Sequence, residues 1–410
     1  MSQEILLERE AGEDSSADRI AALFVAILIC HVAVDAMAAL LPSTLGLLEV
    51  RLSMSPKQSA WLMGLGSLCS GLAQPICAYV SDRLGTRLLG VLGIVMCAIG
   101  IGSMGLAGEI ASLTIVFSVG MIGVGMFHPF GAATVGELRR HARTSAVSLF
   151  FVSGMIGGVL GAFFWPRMLS TATGFRWLPL SMVPVLALVV YLQRHLSELG
   201  PAHVAVHKST TTATSRVEWG MVAVLYVAAA ARFCVNTALL YLYVRLAEAF
   251  VLAGATDWSN EQVATAAAPL VGNFNAATLA GMALGGMLSG FYIRQGREKW
   301  PMVLVPLVFA PLIALLPYAP LAIGYALAVA AGVGFAAMIP VTIALAQHLM
   351  PRHTNLASGL MMGGAWSVAV IGPRCAEYGV SQVGIPTTFA VTAGMLAVSG
   401  LLCLPLPNRR

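Results

Sequence analysis

Charge is scarce in this sequence. Only 10% of its 410 residues are Asp, Glu, Lys or Arg, against 58% hydrophobic. Soluble domains carry roughly 25% charged residues, so a water-facing surface for a chain of this length is excluded. A basic leader is missing too. Residues 1–18 hold Glu4, Glu8, Glu10, Glu13 and Asp14, the wrong sign for a signal peptide, and the apolar run after them is too long for a signal core. Paired cysteine spacing is also absent. Cys30, Cys69, Cys77, Cys97, Cys234, Cys375 and Cys403 are odd in number and sit in or beside apolar runs. They read as packing residues rather than a disulfide framework. No nucleotide-binding loop, no Ser-His-Asp order and no metal-type cluster stands out, so neither an enzyme nor a bound cofactor is expected. The net charge of +5 comes from residues in loops at helix ends and predicts no nucleic-acid partner.

What the chain has instead is apolar runs of roughly 20 residues, the length that crosses a hydrocarbon core as a helix. In lipid the backbone must satisfy its own hydrogen bonds, and runs this long do so as helices rather than as barrel strands. Hydropathy predicts twelve spans, near 20–41, 57–80, 88–107, 112–136, 144–166, 176–193, 218–245, 263–292, 301–317, 320–349, 356–377 and 383–404. The longest polar connection, Arg194 to Val217, carries His203, His207, Lys208 and a Ser/Thr tract, and reads as a flexible linker. The organisation expected is therefore a cytoplasmic tail over 1–18, a six-helix half over 19–193, a linker over 194–217, a second six-helix half over 218–404, and a tail over 405–410. Lys and Arg concentrate in alternate loops (Arg83 and Arg87; Arg139, Arg140 and Arg143; Arg194, Lys208 and Arg216; Arg294, Arg297 and Lys299; Arg352), which predicts that both termini face the cytoplasm.

The halves repeat one another. Gly123-Val124-Gly125 is answered by Gly332-Val333-Gly334, and Thr144 to Gly154 aligns without gaps to Thr354 to Gly364. Two such halves place a binding site between them at mid-membrane. The stretch Ser81-Asp82-Arg83-Leu84-Gly85-Thr86-Arg87 between the second and third spans resembles the loop signature of the major facilitator superfamily of secondary transporters. His31-x-x-x-Asp35, Gln74-Pro75, Asp82-Arg83 and Phe127-His128-Pro129 together resemble its fosmidomycin-resistance branch of drug exporters, over about residues 20–165. Departures are visible. Ala78 stands where the loop signature has Gly, Arg294 stands where the second-half loop would have an acid, and Gly154, Gly157, Gly158 and Gly161 resemble the antiporter glycine motif without its proline. The resemblance implies an all-α fold of twelve transmembrane helices in two pseudo-symmetric halves, alternating access, export, and gating by Asp82, Arg83 and Arg87.

Ionisable groups within spans are functional candidates by default. His31 and Asp35 are four residues apart and so share a helix face. With His128, ahead of the helix-bending Pro129, they are the candidates for proton coupling, and the proton gradient is the expected energy source. Arg232, mid-depth in the seventh span, is expected to meet Asp35 or an anionic group of the substrate, whose oxygens a guanidinium binds bidentately. Gln74, Asn236 and Asn273 (with Asn275) are candidate cavity hydrogen-bonders. Arg374 and Glu377 are expected to form a gate near the outer face, while Arg167 and Arg245 are expected to snorkel. The leading expectation is a proton-coupled exporter of a small anionic or amphiphilic compound, acting as a monomer in a bacterial inner membrane, its partners the substrate and the lipid bilayer. Two alternatives stay open: a divalent metal efflux carrier using His31, Asp35 and Cys234, and a non-transporting receptor on the same scaffold.

Overall fold

A computed structural model describes residues 3–84, 87–196, 217–255, 257–293, 296–350 and 353–406. The Asp82 side chain, linker residues 197–216, Arg294 and Arg352 lie outside the described residues, so expectations resting on them have no structural counterpart here. The first half is built from α1 (Gln3–Ala38), α2 (Leu40–Arg51), α3 (Pro56–Leu84), α4 (Leu88–Gly102), α5 (Ile110–Leu138), α6 (Arg143–Leu169), the single turn α7 (Gly174–Trp177) and α8 (Met182–Leu196). The second contains α9 (Trp219–Gly254), α10 (Asn260–Tyr292), α11 (Lys299–Leu315), α12 (Leu321–Ala336), α13 (Ile339–Leu349), α14 (Thr354–Gly359), α15 (Ala365–Val368) and α16 (Ile371–Leu401). A π-helical turn, Leu360–Gly364, lies between α14 and α15.

Among the described residues nine helical segments are long and apolar enough to cross a membrane. That differs from the twelve that hydropathy predicts, and the reasons are local. Helices α3 and α10 run for 29 and 33 residues, but Gln74 and Pro75 in one and Asn273 and Asn275 in the other lower their mean apolarity. The segment Leu356–Leu401 counts once at 46 residues, although Gly384 breaks its helical path with φ 79° and ψ 171°. A positive φ there costs glycine little because it lacks a Cβ.

Small residues bring the helix backbones together. The repeated Gly-Val-Gly does equivalent work in both halves. A Cβ at Gly123 would press into α4 beside Cys97, and one at Gly125 would press into α3 at Ser70. Their counterparts Gly332 and Gly334 sit against α10 at Thr278 and α11 at Phe309. In lipid, where no hydrophobic force separates protein from solvent, such close approach supplies the packing energy. Helix α6 lies on α1 the same way, with Gly157 under Val32 and Gly161 under Ala36.

The halves meet along α2, α3 and α6 on one side and α9, α10, α15 and α16 on the other. Gly157→Leu is expected to force α6 off α1, because its Cβ would already lie 2.7 Å from the Val32 Cα. Overpacking of this kind costs about 1–3 kcal/mol, which should appear as a lower melting midpoint in detergent, whereas Gly394→Leu, facing open space, should melt like the parent.

Candidate functional site

The i,i+4 spacing of His31 and Asp35 predicts a shared face, and α1 presents them so, with His31 Nε2 3.4 Å from Asp35 Oδ2. The chain adds a third member from α5: His128 Nε2 lies 3.3 Å from Asp35 Oδ1. One carboxylate therefore stands between two imidazoles, one oxygen to each, and the rings meet edge to face at 5.0 Å. His31 is 1% exposed.

The outer nitrogens are fixed by backbone. His31 Nδ1 is 2.6 Å from the Phe150 carbonyl oxygen on α6, and His128 Nδ1 is 2.7 Å from the Val124 carbonyl oxygen on its own helix. A carbonyl only accepts, so each Nδ1 carries its hydrogen and donates. Each ring then offers Nε2 to Asp35. With both rings neutral, two nitrogen lone pairs would face a carboxylate. At least one further proton, on a ring or on the carboxyl, relieves that repulsion. The trio thus groups three proton-accepting side chains within contact of one another.

Three residues that sequence reasoning missed, or read only as part of a motif, complete the pocket. Phe150 stacks on His31 at 3.8 Å. Ser153 donates to the Phe150 carbonyl at 2.7 Å, holding the acceptor that orients His31. Gly154 leaves room, since a Cβ there would stand 2.5 Å from both His31 Nε2 and Asp35 Oδ2. All three lie in Thr144–Gly154, the stretch repeated at Thr354–Gly364, and that repeat was the signal in the sequence.

Arg232 belongs to the other half. It is 3% exposed and meets no acid within ion-pair distance among the described residues, Asp35 included; the imidazoles hold that carboxylate instead. Its Nη2 donates to Thr342 Oγ1 at 2.9 Å on α13, the Cys403 thiol lies against the guanidinium, and Nη1 has no hydrogen-bond partner among the described residues. The sequence held a sign of this contrast. Arg232-x-x-Val235-Asn236 on α9 stands where His31-x-x-Val34-Asp35 stands on α1, a cation and an amide in place of an imidazole and an acid.

The other candidates fall in several places. Asn236 is buried one turn beyond Arg232. Gln74 is half-buried where α3 meets Gly363 of the π-helical turn. Asn273 makes a tie rather than a cavity contact, accepting from Arg167 Nη2 at 2.9 Å and donating to the Tyr325 hydroxyl at 3.2 Å. Cys234 stands apart from His31 and Asp35 and points its thiol at the Val368 carbonyl oxygen. The described metal-type donor group is instead His31, Asp35 and His128, with donor atoms within 4.8 Å of one another. At the signature loop Arg83 lies over the Tyr79 ring at 5.1 Å, and Arg87 pairs with Glu137 of α5 at 2.9 Å.

At the opposite end Arg374 pairs with Glu377 and lies over the Trp61 ring of α3 at 5.7 Å. Arg167 and Arg245 depart from the snorkelling expected of them. Arg167 ties α6 to α10 through Asn273. Arg245, its side chain 14% exposed, bridges Glu49 of α2 to Glu248 of its own helix. The polar partners, Glu49 above all, outcompete the membrane interface because they sit directly across the seam. Beside them Asn275 donates to Ser43 Oγ at 3.3 Å, again from one half to the other. Arg245→Ala would leave Glu49 and Glu248 facing each other without their cation, and like charges repel. A cysteine placed at Ser43, 1% exposed in this state, should then react with a soluble maleimide several-fold faster than in the parent.

The sequence matches the family model described as Major Facilitator Superfamily over residues 24–272 and 225–410. It is 24% identical to the MFS-type transporter YfnC of Bacillus subtilis, described as uncharacterized, with 94% of this chain and 93% of that one aligned. It is also 24% identical to the fosmidomycin resistance protein of Escherichia coli, over 94% and 92%. Among solved structures, a bacterial homolog of the human lysosomal transporter Spinster, inward-facing and occupied, superposes with a TM-score of 0.67 at 13% identity over 93% of this chain and 96% of that one. The nucleoside transporter NupG gives 0.66 at 12% identity over 93% and 98%.

Proposed function

The chain belongs to the Major Facilitator Superfamily, and on that premise we propose that it is a proton-coupled exporter of a small organic anion or amphiphile, working by alternating access. It is a membrane transporter and not an enzyme. The observation that carries the finer reading is the division of labour between the halves. The first holds a carboxylate between two imidazoles, each aimed at it through Nε2 by a backbone carbonyl at Nδ1. The second holds a buried guanidinium with a free nitrogen and no acid partner among the described residues. Protons load the first site and an anion loads the second. Antiport follows if occupancy by one weakens the state that favours the other. Export as the direction rests on likeness to the E. coli fosmidomycin resistance protein.

Twelve crossings fit this reading. With α3 and α10 added to the nine apolar segments and the segment ending at Leu401 turning back at Gly384, both termini fall on one side; the Lys/Arg bias of the loops makes that side the cytoplasm, of a bacterial inner membrane in this reading. In a cysteine-free background, Ser381→Cys in intact cells should label with a membrane-impermeant maleimide, whereas Glu218→Cys should label only after the membrane is opened. The reverse pattern would overturn the orientation.

Transport itself is tested in liposomes carrying a pH-sensitive dye and an imposed proton gradient. A monoanionic organic substrate should dissipate the gradient, and both Asp35→Asn and Arg232→Ala should reduce that flux at least tenfold. Flux that persists in Asp35→Asn would remove the coupling role of the trio. The trio is also a donor set that a divalent cation accepts, so metal ions belong in the same panel. Gradient dissipation by metals alone would move the carrier to that class.

A further inference from the structure

We infer that Arg232 holds a small inorganic monoanion of the halide class in the substrate-free protein. This builds on the proposed anion site and names its resting occupant. The guanidinium is 3% exposed and lies within a membrane-spanning helix, where an unmatched charge is costly. None of its described neighbours neutralises it. Thr342 accepts from Nη2 at 2.9 Å and donates its own hydrogen to the Met338 carbonyl oxygen at 2.7 Å. Cys403, whose S–H donates to the Ser399 carbonyl oxygen at 3.5 Å, offers the guanidinium only a neutral sulfur acceptor. Nη1 is buried and without a hydrogen-bond partner among the described residues, and Arg232 lines a narrow cleft together with Phe233, Phe335, Ile339, Ile343 and Met361.

The cleft has room for about one water-sized group, the least space a buried water needs. A water there would satisfy Nη1 but leave the positive charge in place. An anion of that size meets both needs. The walls select its kind. Beyond Arg232 and Thr342 they offer no polar group, so an oxyanion with three or four acceptor oxygens would leave most of them bare in an apolar pocket. A sphere with one diffuse charge loses less. An organic anion would then enter by displacing the halide, which makes halide a competitor of the exported compound.

The test uses the purified full chain in detergent. At fixed ionic strength and pH, replacing gluconate with chloride or bromide should raise the melting midpoint by several degrees in a saturable way. Sulfate should match gluconate. Arg232→Gln should abolish the difference, and Arg232→Lys should keep a saturable response at a shifted half-effect concentration. Crystals grown in bromide should show an anomalous peak within hydrogen-bond distance of Nη1, a readout independent of any variant's stability. Equal stabilisation by gluconate and chloride, an undiminished halide response in Arg232→Gln, or no bromide peak at Nη1 would each overturn the halide assignment. None of these measurements uses a gradient. Organic-anion flux that depends on Arg232 while halide has no effect would therefore remove the halide and leave the exporter standing.

Discussion

A charge inside a hydrocarbon layer persists only where another group meets it, and this chain follows that constraint to different ends in its two halves. In the first half the matching is internal. Asp35 divides its oxygens between His31 and His128, and each imidazole is aimed by a backbone carbonyl at its far nitrogen. The aiming matters more than the proximity. A ring free to flip would face Asp35 with either nitrogen, leaving its tautomer undefined. A ring pinned at Nδ1 keeps Nε2 turned toward the carboxylate.

The pinning depends on packing that sequence pattern barely hints at. The Phe150 carbonyl reaches His31 because α6 lies close on α1, and α6 lies close because Gly154, Gly157 and Gly161 carry no side chain at the contact. The same close approach operates between α5 and its neighbours and between α12 and its own, through one Gly-Val-Gly in each half. At the seam the binding is polar instead. Arg245 with Glu49, Asn275 with Ser43, Arg167 with Asn273, and Arg374 over Trp61 tie the halves at one end. Ion pairs and hydrogen bonds across a seam can exchange for water when the end opens. Interlocked glycine backbones cannot. Rigid halves with a polar, separable end are what rocking about a central site requires.

The sequence made some of this legible and hid the rest for identifiable reasons. Helical class followed from run length, and His31 with Asp35 from a spacing of four, because both are properties of one local segment. Arg374 with Glu377, three apart, was legible on the same ground. His128 entered through its neighbour Pro129 and through family likeness. What failed was pairing across distance. Arg245 looked like a residue reaching for the membrane surface, because nothing in its own helix announces Glu49, 196 residues away. Asn273 looked like a cavity group for the same reason. Of the two partners expected for Arg232, Asp35 or an anionic substrate group, the acid is held by two histidines instead. The break between the last two predicted spans, 356–377 and 383–404, was legible, and it lies beside Gly384, where the helical path is interrupted.

The two charged sites occupy matching stations of a duplicated chain. His31-x-x-x-Asp35 on α1 and Arg232-x-x-x-Asn236 on α9 fall in the same frame around Val34 and Val235. Duplication gives both halves one backbone, and divergence has put opposite electrostatic problems at one place on it. The first half gathers acceptors that protons would relieve, and the second a guanidinium that an anion would relieve. In the proposed exchange each site is easiest to bury with its own cargo bound, so a seam closing over whichever half is neutralised would need no long-range wire between them. The shared cost of burying an unmatched charge would be enough to link one cargo to the other.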